Sequence, residues 1–276
     1  MTMSSTTMRQ AEGSGGRSER VALVTGASSG IGAALAEALA GRGMHVVLTA
    51  RSADRLEALV KRIEAAGGKA TAVAADLSRP GAAKELFAAV EALDLPVDTL
   101  VNCAGFGIHG YFETHEPAKL SAMLQVNVVA LCELTHCFAP QLLERRGVVL
   151  NIASTAAFQP TPYMSAYGAT KAFVLSLSEA LWAEHQERGL RVVAVCPGPV
   201  ETPFIDAMGP DARSMKLFSN PLAVSDVVAA CLSALEQKGP TRVVGLGNWL
   251  LSYAIRLMPR TVVARVSGGV IGKPKH

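Results

Sequence analysis

Tyr167 and Lys171 stand four residues apart in a stretch with helical spacing, so one helix face carries both side chains. A phenol with an ordinary pKa of about 10 is a weak base at neutral pH, and an ammonium together with a positively charged ring beside it favours the phenolate. Ser154 lies thirteen residues before Tyr167, at the end of a run that reads as a strand, where its hydroxyl can donate to an oxygen that gathers negative charge. Far upstream, Thr25-Gly26-Ala27-Ser28-Ser29-Gly30-Ile31-Gly32 follows the first Val-rich run and opens a helix. Glycines there let the backbone approach a pyrophosphate, and the helix start offers free N–H groups and the positive end of its dipole. The spacing is TGxxxGxG, and its position between first strand and helix points to a dinucleotide. At the end of the second strand stand Arg51 and Ser52, where a site for NAD would place a carboxylate on the ribose 2′-OH. A guanidinium grips a 2′-phosphate that a carboxylate would repel, which favours NADP(H). Arg55, one helical turn on, has two readings, a second phosphate contact or plain surface.

These residues need a frame that gathers them, and the chain supplies strands alternating with helices. Val21 to Thr25, Met44 to Ala50, Ala70 to Ala75, Thr99 to Asn102, Val148 to Ala153, Arg191 to Cys196 and Arg242 to Gly245 read as strands. Helical patterns run over Ile31 to Gly41, Ala53 to Ala66, Ala82 to Leu93, Ala118 to Glu144, Ala166 to Gln186 and Ser225 to Gln237, the second stopped by Gly67-Gly68. Regular succession of strand and helix implies an α/β fold, a doubly wound, Rossmann-like parallel sheet with helices on both faces. No repeat or mid-chain linker divides it, so residues 20–247 read as one catalytic domain after a flexible leader, 1–19. The five-proline stretch 197–223 follows a strand's C-terminal end and reads as a lid over the ligand edge or as a surface excursion. Residues 248–276 form a C-terminal helix and basic tail.

Composition agrees with this frame. Half of the 276 residues are hydrophobic, mostly Ala, Val and Leu, and 18% are charged, which excludes a disordered chain or a disulfide mini-scaffold. The net charge of +3 is too small to argue for nucleic acid, and no recognition motif is visible. It is unevenly spread: Thr241 to His276 carries Arg242, Arg256, Arg260, Arg265, Lys273 and Lys275 with no acid, leaving −3 for the first 240 residues. A solvated tail or a contact with a membrane surface or acidic partner are the readings. Five cysteines without a CxxC pair suggest neither disulfides nor a metal site, and a cytoplasmic setting. No run supplies about 18 continuous apolar residues; the best candidate, Val243 to Ile255, is short and interrupted by Asn248.

Taken in order, TGASSGIG, Asp76-Leu77, Asn102-Cys103-Ala104-Gly105, Asn127, Ser154, Tyr167-Gly168-Ala169-Thr170-Lys171 and Pro197-Gly198-Pro199-Val200-Glu201-Thr202 resemble the short-chain dehydrogenase/reductase family, from about Arg20 to about Gly245. The resemblance implies that Tyr167 is the acid/base, Ser154 polarises the carbonyl, Lys171 holds the ribose and Asn127 anchors a proton-relay water. It also implies that Gly26, Ser28, Ser29, Gly30 and Ile31 bind the pyrophosphate side. Asp76, with Leu77 beside it, meets the adenine amino group. Asn102, Ala104 and Gly105 border the adenine ribose, and Pro197, Gly198, Val200 and Thr202 surround the carboxamide. Cys103 replaces an Asn common at that place and weakens a strand-tying hydrogen bond rather than the chemistry. A homodimer or homotetramer, built on the helices carrying Asn127 and Tyr167, is expected from resemblance alone.

The expected function is an NADP(H)-dependent oxidoreductase moving a hydride between nicotinamide and a carbonyl or secondary alcohol. Phe204, Ile205, Met208, Met215, Leu217 and Phe218 in the lid suggest a hydrophobic small-molecule substrate, such as a 3-oxoacyl, steroid-like or aromatic ketone. The alternatives are a dehydrogenase of small polar alcohols or sugars and a non-catalytic NADPH sensor. His109 and His115 read as surface or core residues, and Cys132 and Cys137 as packing. Asn248 to Met258 reads as a helix that closes the substrate pocket, packs on a sister subunit or rests on a membrane surface, in that order.

Overall fold

The computed structural model describes residues 19–209 and 212–274; the expected leader up to residue 18, Pro210 and Lys275 lie outside the described residues. Val- and Ala-rich segments form β1 (Val21–Thr25), β2 (His45–Ala50), β3 (Lys69–Ala74), β4 (Val97–Asn102), β5 (Val148–Ile152), β6 (Arg191–Cys196) and β7 (Thr241–Val243). They make one parallel sheet in the order β3-β2-β1-β4-β5-β6-β7. Strand alternation sends Ala22, Val24, Val46 and Leu48 to one face and Val21, Leu23 and Val47 to the other, and all seven are buried.

The first face is covered by α1 (Gly30–Gly41), α2 (Ala53–Ala65) and α8 (Val224–Ala234), through Leu35, Leu39, Leu59 and Cys231. The second is covered by α3 (Ala82–Glu91) and by a continuous helical rod made of α4 (Pro117–Leu124), a π-helical turn (Gln125–Ala130) and α5 (Leu131–Glu144). Leu86, Leu134, Phe138 and Leu142 close that side. This 28-residue rod is long and apolar enough to cross a membrane by length and composition, a property expected, if anywhere, of Val243 to Ile255. Its buried face packs against β4 and α3. The α6 helix (Ser165–His185) follows alongside β6.

The sheet reverses its winding between β1 and β4, and an open α/β sheet has its ligand crevice at the carboxyl ends of the strands there. The stretch 197–223 does not stay irregular: it folds into α7 (Phe204–Ala207) and two 3₁₀ turns, tied to itself by a bridge between Val200 and Leu222. Beyond β7 come α9 (Leu246–Ala254) and α10 (Arg260–Ile271). The second of these takes up most of what reads in the sequence as a basic tail. It is a helix because Val263, Ser267 and Ile271, four apart, are buried on one face, and because Gly268 lets it close on Pro162, which would stand 3.3 Å from a Cβ.

Candidate active site

The glycine turn is shaped by close approach. Gly26 and Gly30 hold φ of 70° and 55°, in the left-handed region that favours glycine. A Cβ on Gly26 would lie 2.9 Å from the Ala104 Cα, and one on Gly32 2.4 Å from the Gly26 carbonyl oxygen. Ser29 precedes α1 without capping it through its side chain, so the first-turn N–H groups remain open toward the crevice. Thr25, quoted in the motif but given no role there, sews the crevice together. Its hydroxyl accepts from the N–H groups of Cys103 and Ala104, both at 3.0 Å, and donates to the Val101 carbonyl at 3.3 Å. A glycine cradle with an open helix start beneath it fits the pyrophosphate of a dinucleotide.

A cavity of about 1190 Å³ runs from this cradle across the strand ends. Of the candidate residues, Gly26, Ser28, Ser29, Gly30, Ile31, Arg51, Asp76, Leu77, Ala104, Gly105, Ser154, Tyr167, Lys171, Pro197, Gly198, Val200 and Thr202 all line it. Asn102 and Asn127 do not. The buried Asn102 amide donates to Thr135 at 3.1 Å and to Asn151 at 2.9 Å, tying β4 to β5 and α5. Asn127 sits in the π turn, donating to the Phe106 carbonyl at 2.9 Å and to Thr170 at 3.1 Å and accepting from the Phe106 N–H at 3.1 Å. Its side chain therefore positions the loop after β4 against α6.

At the adenine end, Arg51, Ser52 and Arg55 lie on the wall together with Asp76 and Ser78. Burial disfavours charge on Asp76, but the hydroxyl and N–H of Ser78, donating at 2.7 and 3.0 Å, with Arg51 and Arg79 nearby, hold its carboxyl below the usual range. The carboxylate thus remains an acceptor.

At the other end, Lys171 donates to the Ile152 carbonyl at 2.7 Å and its Nζ stands 5.8 Å from the centre of the Tyr167 ring. Both side chains are buried. Burial pulls the Lys171 ammonium down to about 8, and pushes the Tyr167 phenol up to about 12, against the opposing hydrogen bond with Ser154. The phenolate was expected with an ammonium and a positively charged ring together beside the phenol; in the protein alone burial keeps Tyr167 protonated at neutral pH. Cys103, its thiol pushed up by burial to about 11, stays a thiol, in keeping with a packing role.

Past Tyr167 the cavity becomes apolar, walled by Phe158, Met164, Phe204 and Phe218 and by Val263 and Val270 of α10. Met208 and Met215 do not line it; they are buried with Ile205 in a cluster within the stretch 197–223, and of the six apolar residues singled out there Phe204, Leu217 and Phe218 line the cavity. His109 and His115 also stay outside its wall. His109 pairs with the Gly272 carbonyl at 3.2 Å, which pins the end of α10. Asn248, Leu251, Ser252, Ile255 and Met258 line the cavity, in line with the first reading of Asn248 to Met258 as a segment that closes the pocket. Ser267, also on the wall, carries no signal in the sequence.

A conserved-family profile described as short chain dehydrogenase matches residues 20–213, which span every motif above. The chain belongs to the short-chain dehydrogenase family. Among its relatives, a short chain dehydrogenase of Pseudocercospora fijiensis is 41% identical over 66% of this chain, which spans 60% of that protein's length. The ketoacyl reductase HetN of a Nostoc species is 32% identical over 87% of this chain and 83% of its own. Solved structures agree. A short-chain dehydrogenase from Sphingobium yanoikuyae in complex with NADPH superposes with a TM-score of 0.77 at 33% identity, covering 86% of this chain and 94% of that one. A relative from Burkholderia phymatum in complex with NAD gives 0.77 at 26% identity, over 85% and 92%. The bulky-bulky ketone specific alcohol dehydrogenase of Comamonas testosteroni gives 0.73 at 29%, over 86% and 92%. This short-chain dehydrogenase is thus an oxidoreductase by family, and among its solved relatives one is in complex with NADPH and another with NAD.

Proposed function

We propose that this short-chain dehydrogenase is an NADPH-dependent reductase of bulky apolar ketones. The observation that carries the substrate class is the apolar chamber next to Ser154 and Tyr167, closed by α10 as well as by the lid. The relative named for bulky-bulky ketones supports the same reading. Arg51 and Arg55 at the adenine end, with no carboxylate at the end of β2, support NADPH over NADH. When bound, the reduced nicotinamide supplies the hydride. Ser154 donates a hydrogen bond to the carbonyl oxygen, and Tyr167, protonated at neutral pH, gives that oxygen its proton as the alcohol forms. Lys171, anchored on the Ile152 carbonyl, is placed to hold the ribose and to restore the Tyr167 proton. All five cysteines are unpaired, in keeping with a cytoplasmic setting.

The test is turnover of NADPH and NADH against a panel of aryl and alicyclic ketones, 3-oxoacyl esters, sugars and polyols. NADPH with bulky ketones should give the highest kcat/KM, and Tyr167→Phe should lower it by at least about 100-fold while NADPH binding, read by fluorescence, stays near that of the parent. Turnover of sugars alone, or equal use of NADH, would overturn the proposal.

A further inference from the structure

Among the described residues nothing covers the apolar face of α9 and α10. Of fourteen large hydrophobic side chains exposed among the described residues, ten lie between Leu246 and Val270. They are not scattered: Leu246, Trp249, Leu250, Tyr253 and Leu257 recur at the spacing of one helical stripe on α9 and the turn after it, and Val262, Val266 and Val270 do so on α10. Leu257 is 90% exposed and Leu246 73%. A contiguous apolar surface of this kind marks a contact with another phase or protein.

The charge beside it selects the partner. Arg256, Arg260, Arg265 and Lys273 belong to the same segment, which holds no acidic residue. Among the described residues none of the four has an ion-pair partner. Two copies meeting on this face about a two-fold axis would bring cations against cations. An anionic bilayer instead receives the apolar stripes between its acyl chains and the cations at its phosphates. Trp249 and Tyr253, with ring centroids 4.8 Å apart, are the aromatic types enriched at that depth, and the Arg256 guanidinium lies 5.4 Å from the Tyr253 ring and 6.0 Å from that of Phe158.

The face also leads inward. Leu251, Met258, Val266 and Val270 are exposed and at the same time part of the cavity wall, so the chamber opens through this surface. We infer that α9 and α10 seat the protein on an anionic lipid surface with the mouth of its apolar chamber against the bilayer. Docking is independent of the cofactor and of the reaction proposed above, and its test needs neither.

The full chain is floated with vesicles of phosphatidylcholine alone and of phosphatidylcholine with about 30 mol% phosphatidylglycerol. Flotation is expected with the anionic vesicles only, and at about 1 M salt, where the Debye length is about 3 Å, it should fall several-fold. Leu250→Glu with Leu257→Glu, and separately Arg260→Glu with Arg265→Glu, should each lower the bound fraction at least about tenfold. None of the four lines the cavity, and an unchanged thermal midpoint shows that the fold is kept. Failure of the parent chain to float, or flotation of both double variants like the parent, would overturn the inference. So would a parent oligomer that the Leu250→Glu, Leu257→Glu variant converts to monomer without vesicles, because the face would then belong to a second copy.

Discussion

Lys171 is buried as an ammonium beside a buried phenol, and the energetic consequence has a definite sign. An unfolded chain holds the lysine proton up to about 10.5, the folded protein only to about 8. Between those values the unfolded state binds more protons, so this residue makes stability rise with pH across that window. The distance between the two values corresponds to on the order of 3 kcal/mol that burial of the ammonium costs below pH 8. Lys171→Met should remove that slope. Urea unfolding of parent and variant without cofactor is expected to show the parent gaining on the variant from pH 8 to pH 10 by roughly 2 kcal/mol, and parallel curves would contradict it. That Tyr167 and Lys171 share a helix face and that the glycine turn opens a helix was legible in spacing, because local geometry places them; that Ser154 joins them rested on the order of the motifs. Their environment was not legible. How far burial governs the phenol depends on how much water the fold removes, and the tie of the Asn102 amide to Asn151 and Thr135 joins residues more than 30 apart in the chain.

At the scale of elements, one exposed side chain cross-links the stretch 197–223. Arg213 grips both oxygens of Asp206 at 2.5 and 2.9 Å and reaches Glu201 at 2.8 Å, linking the first 3₁₀ turn to α7 and to the residue beside the Val200 bridge. These groups are exposed, so the contacts order the lid rather than stabilise the fold, and salt screens them. Arg213→Ala should raise KM for a bulky ketone several-fold with a smaller change in kcat, and hasten proteolytic nicking within 201–218. Unchanged KM and nicking rates would show that the lid is held by Ile205, Met208 and Met215 alone. The strands and most helices followed from period and glycine punctuation. The π turn inside the long rod did not, since a single wider turn leaves the apolar pattern almost unaltered. Nor did α10, whose sequence is weakly periodic and carries two glycines; its burial on Pro162 and the His109 contact decides it.

For the molecule as a whole, three of the four other exposed large apolar residues, all but Phe112, are informative. Leu124 and Val129 on the helical rod and Phe173 on α6 are each about two-fifths exposed, on the helices that carry Asn127 and Tyr167. That surface is the one proposed to pair in a homo-oligomer, separate from the face of α9 and α10. Phe173→Glu should shift the mass measured by light scattering toward the monomer, whereas a parent that is already monomeric would exclude the pairing. By itself the sequence determined the doubly wound sheet, the dinucleotide cradle and the Ser-Tyr-Lys set, because each is written in residues that are close in the chain or in strand-helix order. The tertiary structure alone decided the shape of the substrate chamber and the place of the basic end. A segment more than 80 residues from Tyr167 in the chain comes to wall its site only because packing brings α10 there, and no local pattern encodes that distance.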